Sequence, residues 1–197
     1  MTFHRRLAGA LLGMVALALA GCAETPNEPN YPEITFQHKP TLNLNVGEIR
    51  FVSEFKSPLR PPNVEHELPV GIERSVRRWV NDRLKAVGGS GAYAVFTLKD
   101  ASVVETPLEK KSGISGFFTN DQSEKYDFRV AGELQIVTIN GGRALAIAEA
   151  TQSTTVPEDA TLNERDQVFF QKTELLMREF DVQLEKNIQA FLGAYLK

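Results

Sequence analysis

The sequence predicts an α+β fold in which two helices cover one face of a mainly antiparallel, four-stranded sheet, in the order β-α-β-β-β-α. Two segments repeat apolar residues at steps of three and four, which is the period of a helix with one buried stripe. The other regular segments have strand-like composition, and the clearest of them alternates apolar and polar residues, as a strand with one face in water does. A two-layer sandwich buries both helix stripes and one sheet face at once.

The first strand and the first helix flank a proline-rich loop. Residues 48–55 alternate and predict a strand, whereas residues 56–69 contain four prolines and predict an irregular crossover. Residues 70–87 predict the first helix, and Gly88-Gly89 is expected to end it because glycine tolerates the left-handed backbone of helix ends. The apolar stripe of this helix consists of Ile72, Val76, Trp79, Val80, Leu84 and Val87.

Three strands are expected after this helix. Residues 93–106 form the first, and their alternation breaks at Asp100-Ala101-Ser102, which predicts a bulge or the point at which the strand leaves the sheet. Residues 124–139 alternate most clearly and form the second strand. Asn140-Gly141-Gly142 predicts a tight hairpin turn into the third strand, residues 143–156, whose alternate alanines allow a helix to approach closely.

The chain is expected to close with one long helix over residues 162–196. Thr161 and Glu164 fit the capping box, in which each side chain accepts a hydrogen bond from the other residue's free backbone N–H. Such a helix would be roughly 50 Å long at 1.5 Å per residue, so it is expected to overhang the sheet or to bend. Its last turns pack either on the core, the commoner case, or on another protein; their apolar residues are Phe191, Leu192, Tyr195 and Leu196.

The first 22 residues have the organisation of an export signal. A basic start at positions 4–6 precedes an apolar run of 14 residues, positions 7–20, which is shorter than the roughly 20 residues of a membrane-spanning helix. The segment ends in Leu19-Ala20-Gly21-Cys22, which resembles the lipobox of bacterial lipoproteins. The resemblance implies that Cys22 is acylated and becomes the first residue of the mature protein. The alternative is an ordinary signal peptide with a chance cysteine.

Three regions follow from this interpretation. Residues 1–21 are a lipoprotein signal peptide, residues 22–47 a lipid-anchored, proline-rich tether, and residues 48–197 a single α+β domain. Fully stretched, the 25 residues after Cys22 would reach about 80 Å at ~3.3 Å per residue. A tail packed on the domain surface is equally compatible with the same residues, and Thr41–Val46 would suit a short strand.

Charge and cysteine content narrow the function classes. Without residues 1–21 the chain has 176 residues, with 20 Lys and Arg against 25 Asp and Glu, which is a formal net charge of −5. A mildly acidic protein lacks the clustered cations that nucleic-acid binding needs. Cys22 is the only cysteine, so no internal disulfide is possible, and we expect no cofactor.

Catalytic motifs are absent from the sequence. It contains no G-x-S-x-G elbow, Walker loop, H-E-x-x-H or paired C-x-x-C. His38 and His66 are the two histidines after the signal, and His66 stands between Glu65 and Glu67. Neighbouring side chains in an extended loop point apart, so a solvated loop is expected there and no metal site. The protein is therefore expected not to be an enzyme, with a cryptic hydrolase using His66 as an alternative.

Two stretches are candidates for contact with a partner or a lipid. The loop 113–118 places Ile114, Phe117 and Phe118 where apolar residues are not required, although burial under the sheet is the commoner outcome. The first helix carries cations that could meet lipid phosphates, or that form a solvated face balanced by Glu73 and Asp82. These cations are Arg74, Arg77 and Arg78, with Arg83 and Lys85 beside them and Lys110 and Lys111 in the long loop.

The lipobox, the tether and the order of elements together resemble two groups of envelope lipoproteins. One is the lipopolysaccharide-assembly lipoprotein that plugs the outer-membrane translocon, and the other is the auxiliary lipoprotein of ABC-type lipid-transport systems. In lipoprotein families an Asp after the cysteine tends to retain the protein in the inner membrane, so Ala23 implies an outer-membrane location facing the periplasm.

The leading hypothesis is a non-enzymatic accessory lipoprotein of outer-membrane assembly or lipid transport. Its partner would be an envelope protein or an anionic lipid. A structural or regulatory lipoprotein that contacts peptidoglycan or a cell-wall enzyme is the alternative.

Overall fold

The computed structural model describes residues 30–89, 91–108 and 122–197. Residues 31–197 form one compact unit, and every described helix and strand belongs to it. In chain order these elements are β1 (Leu42–Leu44), β2 (Glu48–Ser53), α1 (Ile72–Arg83), β3 (Leu84–Ala86), β4 (Tyr93–Asp100), β5 (Val103–Pro107), β6 (Gln122–Val137), β7 (Arg143–Pro157) and α2 (Leu162–Phe191).

The main sheet is mixed and has five strands. The long β6 is paired antiparallel with β7 along one side, and with β4 and then β5 along the other. At the edge, β2 runs parallel to β4. The α+β class is confirmed, but the prediction of a mainly antiparallel, four-stranded sheet was wrong. The predicted strand 93–106 is two strands, because the backbone leaves the ladder at Ala101 and Ser102, where the sequence indicated a break.

Both helices pack on the same face of this sheet. Phe96 of β4 lies with its ring centroid 6.0 Å from that of Trp79 in α1 and 6.5 Å from that of Phe180 in α2. All three side chains are fully buried. Gly132 of β6 lies beneath them, and the Cβ of any other residue there would stand 2.8 Å from Cζ of Phe96. The absence of a side chain at this position therefore lets the two rings meet over the strand.

A second sheet has two strands: β1 lies where Thr41–Val46 suited a short strand, whereas its partner β3 was not predicted and ends the first helix early. Leu84 has an extended backbone, and β3 pairs parallel with β1 at positions where the apolar stripe predicted one further helical turn. Gly88 is consequently no helix cap. A Cβ there would stand 2.7 Å from the backbone carbon of Asn45, so glycine is needed for close approach of the two chains. The observed order therefore adds β1, β3 and β5 to the predicted one.

Residues 31–47, which the sequence assigned to the tether, lie against the domain. Ile34 and Phe36 are buried, and the backbone N–H of Phe36 donates to Oδ2 of Asp82 in α1 at 2.9 Å. The ring of Tyr31 stands 5.1 Å from the ring of Phe170 near the start of α2. The compact unit thus begins at Tyr31, as in the second of the two interpretations of the tether.

The capping box at the start of α2 is confirmed. The backbone N–H of Glu164 donates to the hydroxyl of Thr161 at 3.3 Å, and that of Thr161 donates to the Glu164 carboxylate at 2.8 Å. These hydrogen bonds hold the pKa of Glu164 below its ordinary value. The helix ends at Phe191, five residues earlier than predicted, and a 3₁₀ turn over Gly193–Tyr195 follows. Within the described ranges, no helix is long and apolar enough to cross a membrane.

Candidate functional site

Several residues singled out from the sequence lie outside the described residues. These are the acylation candidate Cys22 and the loop residues Ile114, Phe117 and Phe118. Their roles stay predictions.

The arginines of α1 lie among partners within the domain. The guanidinium of Arg77 stands 4.0 Å from the ring centroid of Phe51, and its Nη2 is 3.3 Å from Glu73. Arg74 donates to the backbone oxygen of Pro69 at 3.3 Å and is exposed.

Arg78 is held differently, by the N-terminal segment. Its Nη2 is 3.6 Å from Glu33, and its Nε is 3.7 Å from Asp82 on the next turn of α1. The three arginines therefore share one helix but point to three different sets of partners. Their contact with an anionic lipid stays a prediction.

The His66 segment folds as a 3₁₀ turn, Glu65–Glu67, and the two flanking carboxylates have partners elsewhere. Glu65 is buried, accepting from the hydroxyl of Ser57 and from the backbone N–H of Val103. Glu67 is 3.3 Å from Arg165, and 4.0 Å from the His66 ring nitrogen. In the part of the chain that the structure describes, no group of three His, Cys, Asp or Glu side chains could hold a metal ion.

A buried charge cluster joins both helices to the N-terminal segment. Asp181 of α2 is completely buried and accepts from Nε1 of Trp79 at 2.7 Å and from Nε of Arg83 at 3.0 Å. Lys39 donates to its other carboxylate oxygen. Arg83, also fully buried, donates to the backbone oxygen of Pro40 and to Glu185.

Sequence reasoning missed this cluster, although it left a signal. Asp181 stands beside Phe180 and one turn before Leu184 and Glu185, within the apolar stripe of α2, and Arg83 occupies the inner face of α1. A charge on a buried stripe needs a partner of opposite sign, because an unpaired charge is very costly to bury. The cluster holds the two helices and the segment 39–40 together.

The outer side of α2 forms an apolar groove with a basic rim. Leu175 and Val182, two helical turns apart, are 40% and 58% exposed on a helix whose inner face is fully packed. They line a groove of about 640 Å³. Its remaining lining residues are Gln152, Arg178, Glu179, Gln183 and Lys186.

The polar residues of this groove are not equally available. Glu179 accepts a hydrogen bond from Gln152 of β7 at 2.9 Å and is thereby drawn to the wall of the groove. Arg178 and Lys186 form no ion pair with another described residue. The groove therefore offers apolar surface beside two free cations, which suits an apolar segment with acidic side chains.

A second cavity, of about 400 Å³, lies where β5, β6 and the start of α2 meet. Tyr126 lines it and is almost fully buried, with Glu105 and Glu124 nearby. Burial, followed by the repulsion of these carboxylates, raises the pKa of Tyr126 to about 12.

We expect Tyr126 to ionise late in an alkaline titration. A native pKa above the ordinary value of 10.0 means that the fold favours the protonated phenol, so this contribution to stability is complete below pH 10 and disappears between pH 10 and 12. Absorbance at the tyrosinate band, compared between the protein and Tyr126→Phe, measures it. If the absorbance that the variant lacks is absorbance that rises near pH 10 in the unchanged protein, then Tyr126 ionises at the ordinary pKa and the expectation is wrong.

Comparisons with known proteins give structural similarities alone, since no family model and no curated protein matches the chain. Rare lipoprotein B from Shewanella oneidensis is 13% identical with a TM-score of 0.40, over 73% of this chain and 95% of that one. A minor lipoprotein from Acinetobacter baumannii is 13% identical with a TM-score of 0.38, over 78% and 96%. A Xanthomonas campestris protein of the DUF330 family is 10% identical with a TM-score of 0.35, over 82% and 94%.

Two of these three proteins are lipoproteins by name. With TM-scores below 0.5, these similarities carry no argument about the fold, the class, a partner or a site residue of this chain. The specific resemblance to the lipopolysaccharide-assembly lipoprotein stays a prediction.

Proposed function

We propose that the chain is a non-enzymatic lipoprotein, anchored through Cys22 to the periplasmic side of the outer membrane, that serves as a binding subunit in outer-membrane assembly or lipid transport. The anchor is supported by the lipobox-like Leu19-Ala20-Gly21-Cys22, and the location by Ala23. The single observation that carries the binding role is the apolar groove on the outer side of α2.

The groove exposes apolar surface to water, which makes it a suitable docking surface. Leu175 and Val182 are exposed in the middle of a 30-residue helix. Polar residues at these positions would not destabilise the fold, so the apolar side chains favour a role in docking. Arg178 and Lys186 beside them would pair with carboxylates once a partner excludes water. The occupant is a segment of an envelope membrane protein that has apolar side chains and at least one acidic residue.

Photocrosslinking from within the groove tests this function. A photoreactive amino acid at Leu175, in the full-length protein in cells, is expected to give an adduct with an integral membrane protein of outer-membrane assembly or of a lipid-transport system. Adding Val182→Glu is expected to reduce the adduct about tenfold or more, because it places an anion on apolar surface opposite the acidic partner. Immunoblotting and mass spectrometry measure the adduct.

The matched control places the photoreactive residue at Leu59, which is 66% exposed, lies in the proline-rich loop and does not line the groove. The same adduct from both positions would mean random collision and would overturn the proposal. Adducts only with lipid, only with a cell-wall enzyme, or none at all would overturn it as well.

A further inference from the structure

The face of the main sheet opposite the helices exposes apolar side chains on its two outer strands, β2 and β7. Phe51, Phe96 and Leu134 occupy the helix-covered face, so their sequence neighbours point the other way. Val52, Leu145 and Ile147 are 42%, 38% and 54% exposed there. The other apolar residues of this outer face are Tyr93, Val95 and Val137.

Strand pairing arranges the outer face in rows that cross β2, β4, β6 and β7 in that order. The first row is Glu48, Tyr93, Val137 and Arg143. The second is Arg50, Val95, Gln135 and Leu145. The third is Val52, Thr97, Glu133 and Ile147. The first row thus has an anion at one edge of the sheet and a cation at the other, and the third has apolar residues at both edges.

We propose that this outer face is a homodimer interface, in which two copies pack sheet against sheet around a two-fold axis parallel to the strands. Such an axis places β2 over β7 of the copy and β4 over β6, with every row kept in place. Glu48 then faces Arg143 of the copy, and Val52 faces Ile147. The edges of the first row are thus complementary in charge and those of the third row in apolar surface, while the second row places Arg50 over Leu145 of the copy.

Most of the remaining charges on the face are compensated within one copy. Lys99 is 2.8 Å from Glu54 and 3.1 Å from Glu133. Arg50 pairs with Glu48 and lies 4.8 Å from the ring centroid of Tyr93. The next row of the register places Glu54 over Glu149 of the copy, and each of these carboxylates has a cation of its own chain, Lys99 and Arg129.

The position of the chain's N terminus favours the same axis. A two-fold axis along the strands leaves both copies of Tyr31 at the same end of the dimer, whereas an axis across the strands would place them at opposite ends. Eight residues lie between Cys22 and Tyr31, and the nine steps from one to the other span about 30 Å when fully extended. Two such short connections reach one membrane only from the same end.

Membrane anchoring also compensates for the small size of the interface. Four strands at ~4.8 Å spacing make a face of about 20 Å by 20 Å, which is less than a standard stable interface. Two copies held on one membrane meet at a raised effective concentration, so a modest interface suffices. This step rests on the anchor of the proposed function, whereas the face-to-face geometry does not.

Thiol crosslinking tests the arrangement, since Cys22 is the only cysteine of the sequence. Val52→Cys and Ile147→Cys, in two differently tagged full-length copies expressed together, are expected to form a mixed dimer with a short bismaleimide crosslinker, because facing residues of two packed sheets lie about 10 Å apart, which is too far for a disulfide. Two copies of either single variant would be about 17 Å apart, three strand spacings sideways plus the distance between the sheets, which is beyond the reach of the same crosslinker. Either variant expressed alone is therefore the matched control.

Charge exchange provides a second readout with all cysteines kept in place. Arg143→Glu is expected to lower the mixed dimer about threefold to fivefold, and adding Glu48→Arg to restore it, because the exchanged pair is again complementary across the interface.

Four results would overturn the proposal. These are a crosslinked dimer from Ile147→Cys alone, which would indicate an axis across the strands; a crosslink to another protein; no dimer from folded variants; and no response to charge exchange. Because these positions face away from α2, the groove adduct from Leu175 can fail or succeed independently of this dimer.

Discussion

Replacing Asp181 with alanine is expected to lower the free energy of unfolding by about 3 to 5 kcal/mol, because it leaves Arg83 buried without its central counter-ion. The same change removes the acceptors of Trp79 and Lys39, so a hydrogen bond between the helices and the hold on the N-terminal segment are lost together. Urea unfolding followed by circular dichroism measures the loss.

A matched control lies on the same helix. Glu179→Ala removes an exposed carboxylate that accepts one hydrogen bond, from Gln152, and is expected to cost less than about 1 kcal/mol. The double variant Arg83→Met, Asp181→Leu is expected to lose less free energy of unfolding than Asp181→Ala alone. It removes both charges of the pair, so neither of the two is left buried without the other. Equal costs for Asp181→Ala and Glu179→Ala would refute the assigned role of the cluster.

Gly132→Ala is expected to destabilise the protein by about 1 to 3 kcal/mol through overpacking. Its new Cβ would stand 2.8 Å from Cζ of Phe96 and 3.3 Å from Cζ of Phe180, and both rings are fully buried and packed against Trp79. The rings cannot withdraw without opening the contact between sheet and helices. Thermal unfolding by calorimetry, with urea titration as a second method, measures the change.

Gly193→Ala is the control for this prediction, because nothing lies within 4 Å of the Cβ that it would add. Its effect is expected to stay within about 0.5 kcal/mol. Phe96→Leu replaces the ring by a smaller side chain. It is therefore expected to relieve part of the destabilisation by Gly132→Ala when the two substitutions are combined. Purely additive losses would show that the glycine matters for some reason other than close approach.

Local patterns in the sequence predicted most of the elements of the domain. The hairpin at Asn140–Gly142 forms as expected, with Gly141 at a φ of +79°. The capping box of Thr161 and Glu164 and the break at Asp100–Ser102 are also where the sequence placed them. These features depend on residues that are only a few positions apart, so a short stretch of sequence is enough to predict them.

Pairing over long distances was not readable in this way. Whether β2 would run parallel to β4, and whether residues 84–86 would continue α1 or pair with 42–44, depends on segments about 40 residues apart. The apolar residue Leu84 satisfies either outcome, because it is buried in both. The binding surfaces were equally hard to predict. Nothing in the sequence distinguishes the exposed Leu175 and Val182 from the buried leucines of the same helix.

The sequence by itself predicted an export signal and the acylation candidate Cys22, and it determined the helix and strand periods and the turns, because each is encoded by neighbouring residues. Tertiary structure alone decided which charges were buried together, which apolar residues faced water and which strands were neighbours. Asp181 meets Arg83 across 98 residues, and Val52 and Ile147 share a row only through three intervening strand pairings. Such contacts follow from the competition of all segments for one core, and that competition is settled only when the whole chain folds.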